Sequence, residues 1–351
     1  MSNSISTTRR TFLGTLSSAP LILGATNKAG TQHPVIGEGD HKYECIHDWG
    51  ELPANIKYGN CHGVVEDSQH NIYVHHTVHK TSESSDTMVV YDAKGKFIRS
   101  WGAEFKGGAH GLHIQKEGKD EFLYLCDTQK AIVVKATLKG EIVWRIGYPK
   151  ESPVYTPDAD GKQKKYSPTN LCVAPNGDIY VGDGYGSSFI NQYNTKGEFI
   201  RSFGGGGKAD IGSLKQPHGI WMDMRSGQPR LLVADRGNAR LHYFGLDGTP
   251  KDVVTEGMKL PCHFSVFKNG DLLLPDLGAR VLVLNKDNKV VADLGDDSEP
   301  ATWRETRVKS RDAFKPGKFV CPHGACFDHK GNIFVAEWVE VGRVTKLRKV
   351  A

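Results

Sequence analysis

The chain lacks several features that would assign it to common protein classes. It has no run of five or more basic residues and no interleaving of basic with aromatic residues, which argues against nucleic-acid binding. Its seven cysteines are odd in number and include no CxxC pair, so neither a zinc ribbon nor a disulfide framework is expected. Hydrophobic residues make up 38% of the 351 positions, which suffices for a folded core and excludes disorder.

The N-terminus carries an export pattern. Arg9 and Arg10 precede the uncharged, largely apolar stretch 14–25, which is too short to span a bilayer as a permanent anchor. The alternative is a helix start with two chance arginines. The order of charge and apolar run favours a Tat signal over residues 1–29, followed by a linker over 30–42. We therefore expect a periplasmic or secreted protein with no integral membrane association after export.

A repeated unit accounts for most of the remaining chain. Six copies begin at Cys61, Ala109, Pro168, Pro217, Cys262 and Pro322, and the starts recur every 45 to 60 residues. Each copy has an apolar strand, a polar turn such as Asn176–Gly177, and a second strand that ends in an acidic residue in five of the six. This pattern predicts an all-β fold, a six-bladed β-propeller. A β-sandwich with a second domain would not explain six copies.

The two ends of the repeat region complement each other. The last copy reaches the C-terminus without a tail strand, whereas residues 43–50 resemble a tail strand that precedes the first copy. We expect this N-terminal strand to complete the last blade, which removes an exposed sheet edge. Residues 43–351 are therefore expected to form a single propeller domain, and the protein is expected to be a monomer.

Histidines recur at one position of the repeat. The innermost strand of each propeller blade runs along the central channel, so equivalent positions surround the axis. These positions are occupied by His62, His110, Thr169, His218, His263 and His323, in a chain with 15 histidines. Alternate blades contribute His110, His218 and His323, a set able to hold a divalent metal, foremost zinc, with an open face. His62 and His263 are additional candidate ligands or pocket-lining residues. The alternative is that each histidine only lines the channel, hydrogen-bonded to backbone or water.

The acidic residues that end the second strands form another set of equivalent positions. They are Asp127, Asp183, Asp235, Asp276 and Glu337. Such carboxylates usually accept hydrogen bonds from neighbouring backbone amides, and we expect this of most of them; Asp183 is kept as a candidate pocket residue. The residues that follow the acids should line the channel mouth. Among these, Tyr185 can transfer protons and Arg236 can hold a carboxylate, although isolated residues of these types often serve packing alone.

These motifs carry a family resemblance over roughly residues 43–350. The repeats resemble NHL repeats, and the motif set PHG, DGY and ADR resembles the peptidyl-α-hydroxyglycine α-amidating lyases. That resemblance implies a six-bladed propeller that uses zinc to split a peptidyl-hydroxyglycine into a peptide amide and glyoxylate. By this resemblance, the family's three zinc histidines correspond to His110, His218 and His323. Its catalytic tyrosine corresponds to Tyr185, and its active-site arginine corresponds to Arg236.

The chain departs from that family at two points. The family has an arginine in its first blade that aligns with His76 and Thr77, and an aspartate where this chain has Gly324. The first departure puts recognition of the same carboxylate in doubt.

The leading hypothesis is an exported metal-dependent lyase of the amidating-lyase type, which acts on a small polar molecule or peptide in the channel, with a structural calcium ion as a further candidate. One alternative is a non-catalytic NHL propeller that binds a protein or glycan. Another is a lactonase-like propeller hydrolase, but such sites bind calcium through Glu, Asn and Asp, which disfavours it here.

Overall fold

The computed structural model describes residues 25–26 and 32–350. Four short strands precede the repeats: β1 (Ala25–Thr26), β2 (Gln32–His33), β3 (Val35–Ile36) and β4 (Tyr43–Ile46). Strands β1 and β2 pair with each other. Apart from residues 25–26, the expected export signal lies outside the described residues. Across the described ranges, no helix has the length and apolar character needed to cross a membrane.

Six antiparallel sheets follow one another along the chain, as the repeat predicts. Blade 1 contains β5 (Cys61–Glu66), β6 (Ile72–His76), β7 (Met88–Tyr91) and β8 (Phe97–Trp101). Blade 2 contains β9 (Ala109–Glu117), β10 (Asp120–Asp127), β11 (Ile132–Thr137) and β12 (Ile142–Ile146). Blade 3 contains β13 (Asn170–Val173), β14 (Ile179–Gly182), β15 (Phe189–Tyr193) and β16 (Phe199–Gly204).

The second half of the chain repeats this arrangement. Blade 4 contains β17 (Pro217–Asp223), β18 (Arg230–Asp235), β19 (Arg240–Phe244) and β20 (Pro250–Val254). Blade 5 contains β21 (Ser265–Val266), β22 (Leu272–Asp276), β23 (Arg280–Leu284) and β24 (Val290–Leu294). Blade 6 contains β25 (Pro322–Phe327), β26 (Ile333–Glu337) and β27 (Arg343–Lys349). The chain also has a one-turn helix α1 (Trp303–Thr306) and 3₁₀ turns at Gly39–His41, Ala103–Phe105, Pro153–Tyr155, Arg236–Asn238 and Arg311–Ala313.

The N-terminal strand closes the propeller. Strand β4 pairs antiparallel with β27, with Leu347 opposite Cys45 and Lys349 opposite Tyr43. This confirms the predicted completion of the last blade. Strand β3, which falls inside the predicted 30–42 linker, pairs with β4 and adds a fifth strand to the same sheet. The N-terminal strands thereby cover, through main-chain hydrogen bonds, the edge of β27 that would otherwise be exposed.

The core consists of apolar layers between neighbouring blades. Between blades 1 and 2, for example, Tyr73 and Val90 pack with Leu123 and Val134. The layer between blades 6 and 1 is built in the same way and includes Phe334. Because every blade buries side chains against both neighbours, the closed ring fixes where each inner strand begins at the channel.

Candidate metal centre in the propeller channel

Four histidines meet at the start of the inner strands. His62, His110, His218 and His323 stand at the second positions of β5, β9, β17 and β25, and we call them the histidine cluster. All four are buried, with 1% to 7% of their surface exposed. Neighbouring imidazole centroids lie 4.6 to 4.9 Å apart. The predicted three histidines therefore lie together, and His62 lies with them.

Backbone carbonyls of the adjacent blade orient three of these rings. Nδ1 of His110 lies 2.7 Å from the carbonyl oxygen of Thr169, and Nδ1 of His218 lies 2.8 Å from that of Cys262. Nδ1 of His323 lies 2.9 Å from the carbonyl oxygen of His62. A carbonyl can only accept, so each Nδ1 carries the proton and each Nε2 offers a lone pair. This is the arrangement that orients metal-binding imidazoles in proteins.

A glycine follows each histidine of the cluster, and three of these glycines explain the close approach. A β-carbon on Gly111, Gly219 or Gly324 would collide with the carbonyl of Thr169, Cys262 or His62, respectively. Only glycine lets the inner strands come near enough for the imidazole Nδ1 to reach the next blade. The His–Gly dipeptide therefore has a direct structural role.

Burial keeps the imidazoles of the cluster neutral. Desolvation lowers the pKa of His110 to about 3, against the weaker opposing effect of its Thr169 hydrogen bond. Desolvation, reinforced by the neighbouring histidines, also lowers the pKa of His62 and His323 well below the usual value. Neutral imidazoles are the form that binds metal ions.

Two ring nitrogens of the cluster lack a hydrogen-bond partner. Within the part of the chain that the structure describes, Nε2 of His323 and Nδ1 of His62 are buried and contact no donor or acceptor. Nε2 of His110 and Nε2 of His218 share a single hydroxyl, that of Tyr185, at 3.2 and 3.1 Å. Buried acceptors without donors are costly, and a cation among the rings would satisfy them. The donor set therefore fits a divalent metal with imidazole ligands, such as zinc.

The distances between the ring nitrogens differ within the cluster. Those of His62, His110 and His323 lie within 4.8 Å of one another, whereas His218 is outside this group. The hydroxyl of Tyr185 lies between Nε2 of His218 and Nε2 of His110. The three residues predicted as ligands thus each have Nδ1 bonded to a backbone carbonyl. The group of nitrogens within 4.8 Å, however, contains His62 in place of His218.

Tyr185 and Arg236, both predicted at the channel mouth, contact each other beside the cluster. The Arg236 guanidinium lies 5.4 Å from the centroid of the Tyr185 ring, and Nη1 of Arg236 is 3.7 Å from Sγ of Cys262. Burial raises the pKa of Tyr185, and the positive charge of Arg236 opposes that rise. A neutral phenol and a buried guanidinium therefore face the same end of the channel.

Asp183 is placed behind Tyr185 and not in the channel. Its carboxylate accepts hydrogen bonds from the backbone N–H of Ser167 at 2.6 Å and from the hydroxyl of Tyr155 at 2.7 Å. A third bond comes from the backbone N–H of Ser187 at 2.5 Å. Burial raises the pKa of Asp183 to about 6. The side chain fixes the loop that carries Tyr185, a role shared by the buried acids at equivalent positions, such as Glu337.

His263 has different neighbours from the cluster. It lines a cavity of about 110 Å³ together with His113 and Trp221. In place of glycine, the buried Phe264 follows it. The inner strand of blade 5 is also the shortest of the six, with only Ser265–Val266 in β21. The His–Gly signal in the sequence separates the four clustered histidines from His263.

Sequence analysis missed two partners of the site. One is Tyr155, whose hydroxyl holds Asp183 across 28 positions of the chain. The other is the set of carbonyl acceptors for the imidazoles, which belong to neighbouring blades. No local signal marks either, because both depend on how distant segments meet.

All seven cysteines are free and buried.

Comparison with known proteins finds amidating enzymes among the relatives of this chain. The chain is 28% identical over 226 residues to peptidyl-glycine α-amidating monooxygenase B of Xenopus laevis, a match that covers 56% of this chain and 24% of that protein. It is 26% identical over 221 residues to peptidyl-α-hydroxyglycine α-amidating lyase 1 of Drosophila melanogaster, covering 55% of this chain and 39% of that protein. The chain resembles the amidating lyases. It spans about a quarter of the length of the monooxygenases that it matches. No family profile matches the chain.

Solved structures support the fold alone. A streptogramin B lyase aligns with a TM-score of 0.56 at 12% identity, covering 89% of this chain and 99% of that one. A gluconolactonase from Xanthomonas campestris aligns with a TM-score of 0.56 at 15% identity, covering 87% of this chain and 89% of that one.

The structure describes the two positions at which the sequence is expected to depart from the amidating lyases. His76, at the position of the family's first-blade arginine, is buried edge-on against Tyr58, and its Nδ1 accepts a hydrogen bond from the backbone N–H of Val78. At the other position, a β-carbon on Gly324 would collide with the backbone of His62. The aspartate of the amidating lyases would therefore require a different spacing between blades 6 and 1.

Proposed function

We propose that this protein is an exported metal-dependent lyase of the amidating-lyase type, acting on a small polar molecule or peptide in the propeller channel. The observation that carries the proposal is the convergence of buried, neutral imidazoles whose Nδ1 atoms are held by backbone carbonyls. The similarity to the amidating lyases supports the same reading. The proposed ligands are His110, His218 and His323, and the leading metal is zinc.

The chain's own residues supply orientation and proton transfer. A divalent ion bound here would supply Lewis acidity toward a substrate oxygen. The hydroxyl of Tyr185 touches two imidazoles of the cluster, so it can pass a proton between a substrate and the centre. Arg236 has a buried guanidinium that contacts the Tyr185 ring and the thiol of Cys262, and it can hold an anionic group of the substrate.

The reaction implied by the resemblance needs no oxidant. The substrate hydroxyl loses its proton, the carbon–oxygen double bond forms as the carbon–nitrogen bond breaks, and a proton is delivered to the departing amide nitrogen. One proton leaves the hydroxyl and one arrives at the nitrogen, so a single group such as Tyr185 can serve both transfers. The products are an amide and an aldehyde acid.

The histidine-rich centre favours this function over a lactonase-like hydrolase. Calcium sites are built from oxygen ligands. Two of the acids that end the second strands are engaged elsewhere: Asp235 binds Arg240, and Glu337 binds Arg343 and the backbone N–H of Val320. The ligand atoms that lie close together in the channel are imidazole nitrogens.

The test is elemental analysis of protein purified without chelators. Wild-type protein should contain one equivalent of metal, and the triple variant His110→Ala, His218→Ala, His323→Ala should contain little while keeping its fold. A peptidyl-α-hydroxyglycine is the first substrate to assay, with glyoxylate release as the readout.

His263→Ala is the matched control, because it removes a buried channel imidazole outside the cluster. It should retain full metal content. Full occupancy in the triple variant would contradict the proposal.

A further inference from the structure

Two arginines near the channel mouth have no acidic partner. Three other arginines of the propeller are buried and each bonds to a buried acid: Arg240 to Asp235, Arg280 to Asp276 and Arg343 to Glu337. Arg236 and Arg307 differ, because among the described residues no carboxylate oxygen lies within 4.0 Å of either guanidinium. A guanidinium that is removed from water without a counter-charge is costly, and an anionic ligand would reduce that cost.

Arg307 is held in place by the last and the first blade. Its Nε donates to the carbonyl oxygen of Trp338 at 3.3 Å, and its Nη2 donates to Oδ1 of Asn60 at 3.1 Å. The guanidinium carbon lies over the Trp338 ring, 3.4 Å from the ring centroid. These bonds use two of the five N–H groups of the guanidinium, so three remain without an acceptor among the described residues.

Both contacts place the Arg307 guanidinium beside the inner strands where they begin. Asn60 lies two positions before the cluster histidine of β5. The backbone N–H of Trp338 donates to the carbonyl of Cys321 at 2.8 Å, and Cys321 lies two positions before the cluster histidine of β25. The guanidinium therefore lies at the end of the channel that holds the histidine cluster.

One apolar layer connects Arg307 with Arg236. Cys262, whose thiol contacts Arg236, packs with Leu277 in a buried cluster, and Trp338 packs against the same cluster. Trp338 in turn carries the guanidinium of Arg307. A ligand that lies along this layer would have a guanidinium at each end.

Partial burial leaves the charge of Arg307 uncompensated. Desolvation lowers the pKa of Arg307, and the weaker effects of Cys321 and Glu340 oppose it. Because the Trp338 ring covers one face of the guanidinium, the free N–H groups point outward in the guanidinium plane. An arginine fork binds carboxylate and phosphate groups in this plane.

We infer that Arg307, Trp338 and Asn60 form a second anion-binding site at the channel mouth, so that the substrate has a negatively charged group in addition to the one held by Arg236. The ligand class is a small dianion, with two carboxylates or with one carboxylate and one phosphate-like group. The inference deepens the proposed function and rests on it in placing the substrate in this channel with an anionic group at Arg236.

The experiment measures binding to full-length protein by isothermal titration calorimetry at fixed ionic strength. The probes are the dicarboxylates succinate, glutarate, adipate, pimelate and suberate, each paired with the monocarboxylate of the same chain length. Wild-type protein should bind at least one dicarboxylate more tightly than its monocarboxylate. The phosphono analogue of that dicarboxylate then shows whether the second group is better bound as a carboxylate or as a phosphate-like group.

Arg307→Gln removes the charge and keeps a planar amide that can bond to Asn60 and stack on Trp338. It should weaken the preferred dicarboxylate by about 10- to 100-fold, the usual effect of losing a charge-assisted hydrogen bond, and leave the monocarboxylate unchanged. Thermal melting checks that the variant is folded. Lys309→Gln is the control, because it removes an exposed positive charge from the same loop and should leave every affinity unchanged.

The outcomes separate this inference from the proposed function. If no dicarboxylate binds more tightly than its monocarboxylate, or if Arg307→Gln leaves the preference unchanged or weakens both members of a pair equally, the inference is wrong. Metal in the histidine cluster without a dicarboxylate preference would leave the proposed function and remove the second anion site. A preference that depends on Arg307 in protein that binds no metal would support the anion site and contradict the proposed function.

Discussion

Nδ1 of His323 lies 2.9 Å from the carbonyl oxygen of His62, so the last blade of the propeller hydrogen-bonds to the first within the channel. The same contact recurs from His110 to Thr169 and from His218 to Cys262. The orientation of each imidazole therefore depends on the distance between two inner strands. Any change that separates neighbouring blades should therefore alter the geometry of the proposed metal centre.

Gly324→Ala tests this dependence. The added β-carbon would collide with the His62 carbonyl, so blades 6 and 1 must move apart. We expect the free energy of unfolding to fall by about 1–3 kcal/mol, as for other overpacked sites, and metal affinity to fall with it. Chemical denaturation and chelator competition measure the two effects.

Gly147→Ala is the control, since a β-carbon there meets no atom of the described residues within 4 Å. Metal affinity equal to wild type in Gly324→Ala would show that the blade spacing does not orient the imidazoles.

The sequence predicts the blades well because each one is a local unit. The Val173–Ile179 pairing across Asn176–Gly177 follows from a turn in which Gly177 has φ of +86°. The position of the histidines follows from the repeat in the same way. Contacts between blades could not be predicted, because they depend on packing between distant segments. The hydrogen bond from Tyr155 to Asp183 and the different surroundings of His263 belong to this class.

Deleting residues 1–52 should cause aggregation. The deletion removes β4, exposes the edge of β27, and removes the buried side chains of Tyr43 and Cys45 from the layer that contains Leu347. Size-exclusion chromatography and thermal melting are the measurements. A shorter deletion of residues 1–34 keeps β3 and β4 and should stay monomeric. If the longer deletion remains monomeric with unchanged melting, β4 does not close the propeller.

Replacing both arginines of the export pattern, Arg9→Lys with Arg10→Lys, should block export. Tat recognition depends on the arginine pair, so the precursor should accumulate in the cytoplasm. Cell fractionation with immunodetection is the measurement, and Lys28→Gln, a charge change outside the pair, is the control. Normal arrival of the double variant in the periplasm would rule out the Tat assignment.

Tyr185→Phe should separate metal binding from catalysis. The substitution removes the hydroxyl that contacts Nε2 of His110 and of His218 but leaves both imidazoles held by their carbonyls. Metal content should therefore stay at the wild-type level. Turnover should fall by about 10²- to 10⁴-fold, the usual contribution of a proton-transfer group. Steady-state kinetics and elemental analysis of the same preparation make the comparison.

Arg236→Ala should differ from Tyr185→Phe in which kinetic constant changes. Arg236 lies beside the Tyr185 ring and is proposed to hold the substrate anion, so its loss should raise KM and lower kcat/KM while metal remains bound. Arg201→Ala, on the outer strand of blade 3, removes a guanidinium bonded to the Asp247 carbonyl and should leave both constants unchanged. Loss of metal in Arg236→Ala or in Tyr185→Phe would assign that residue to the support of the ligands instead. Unchanged kcat/KM in both variants would remove them from the reaction.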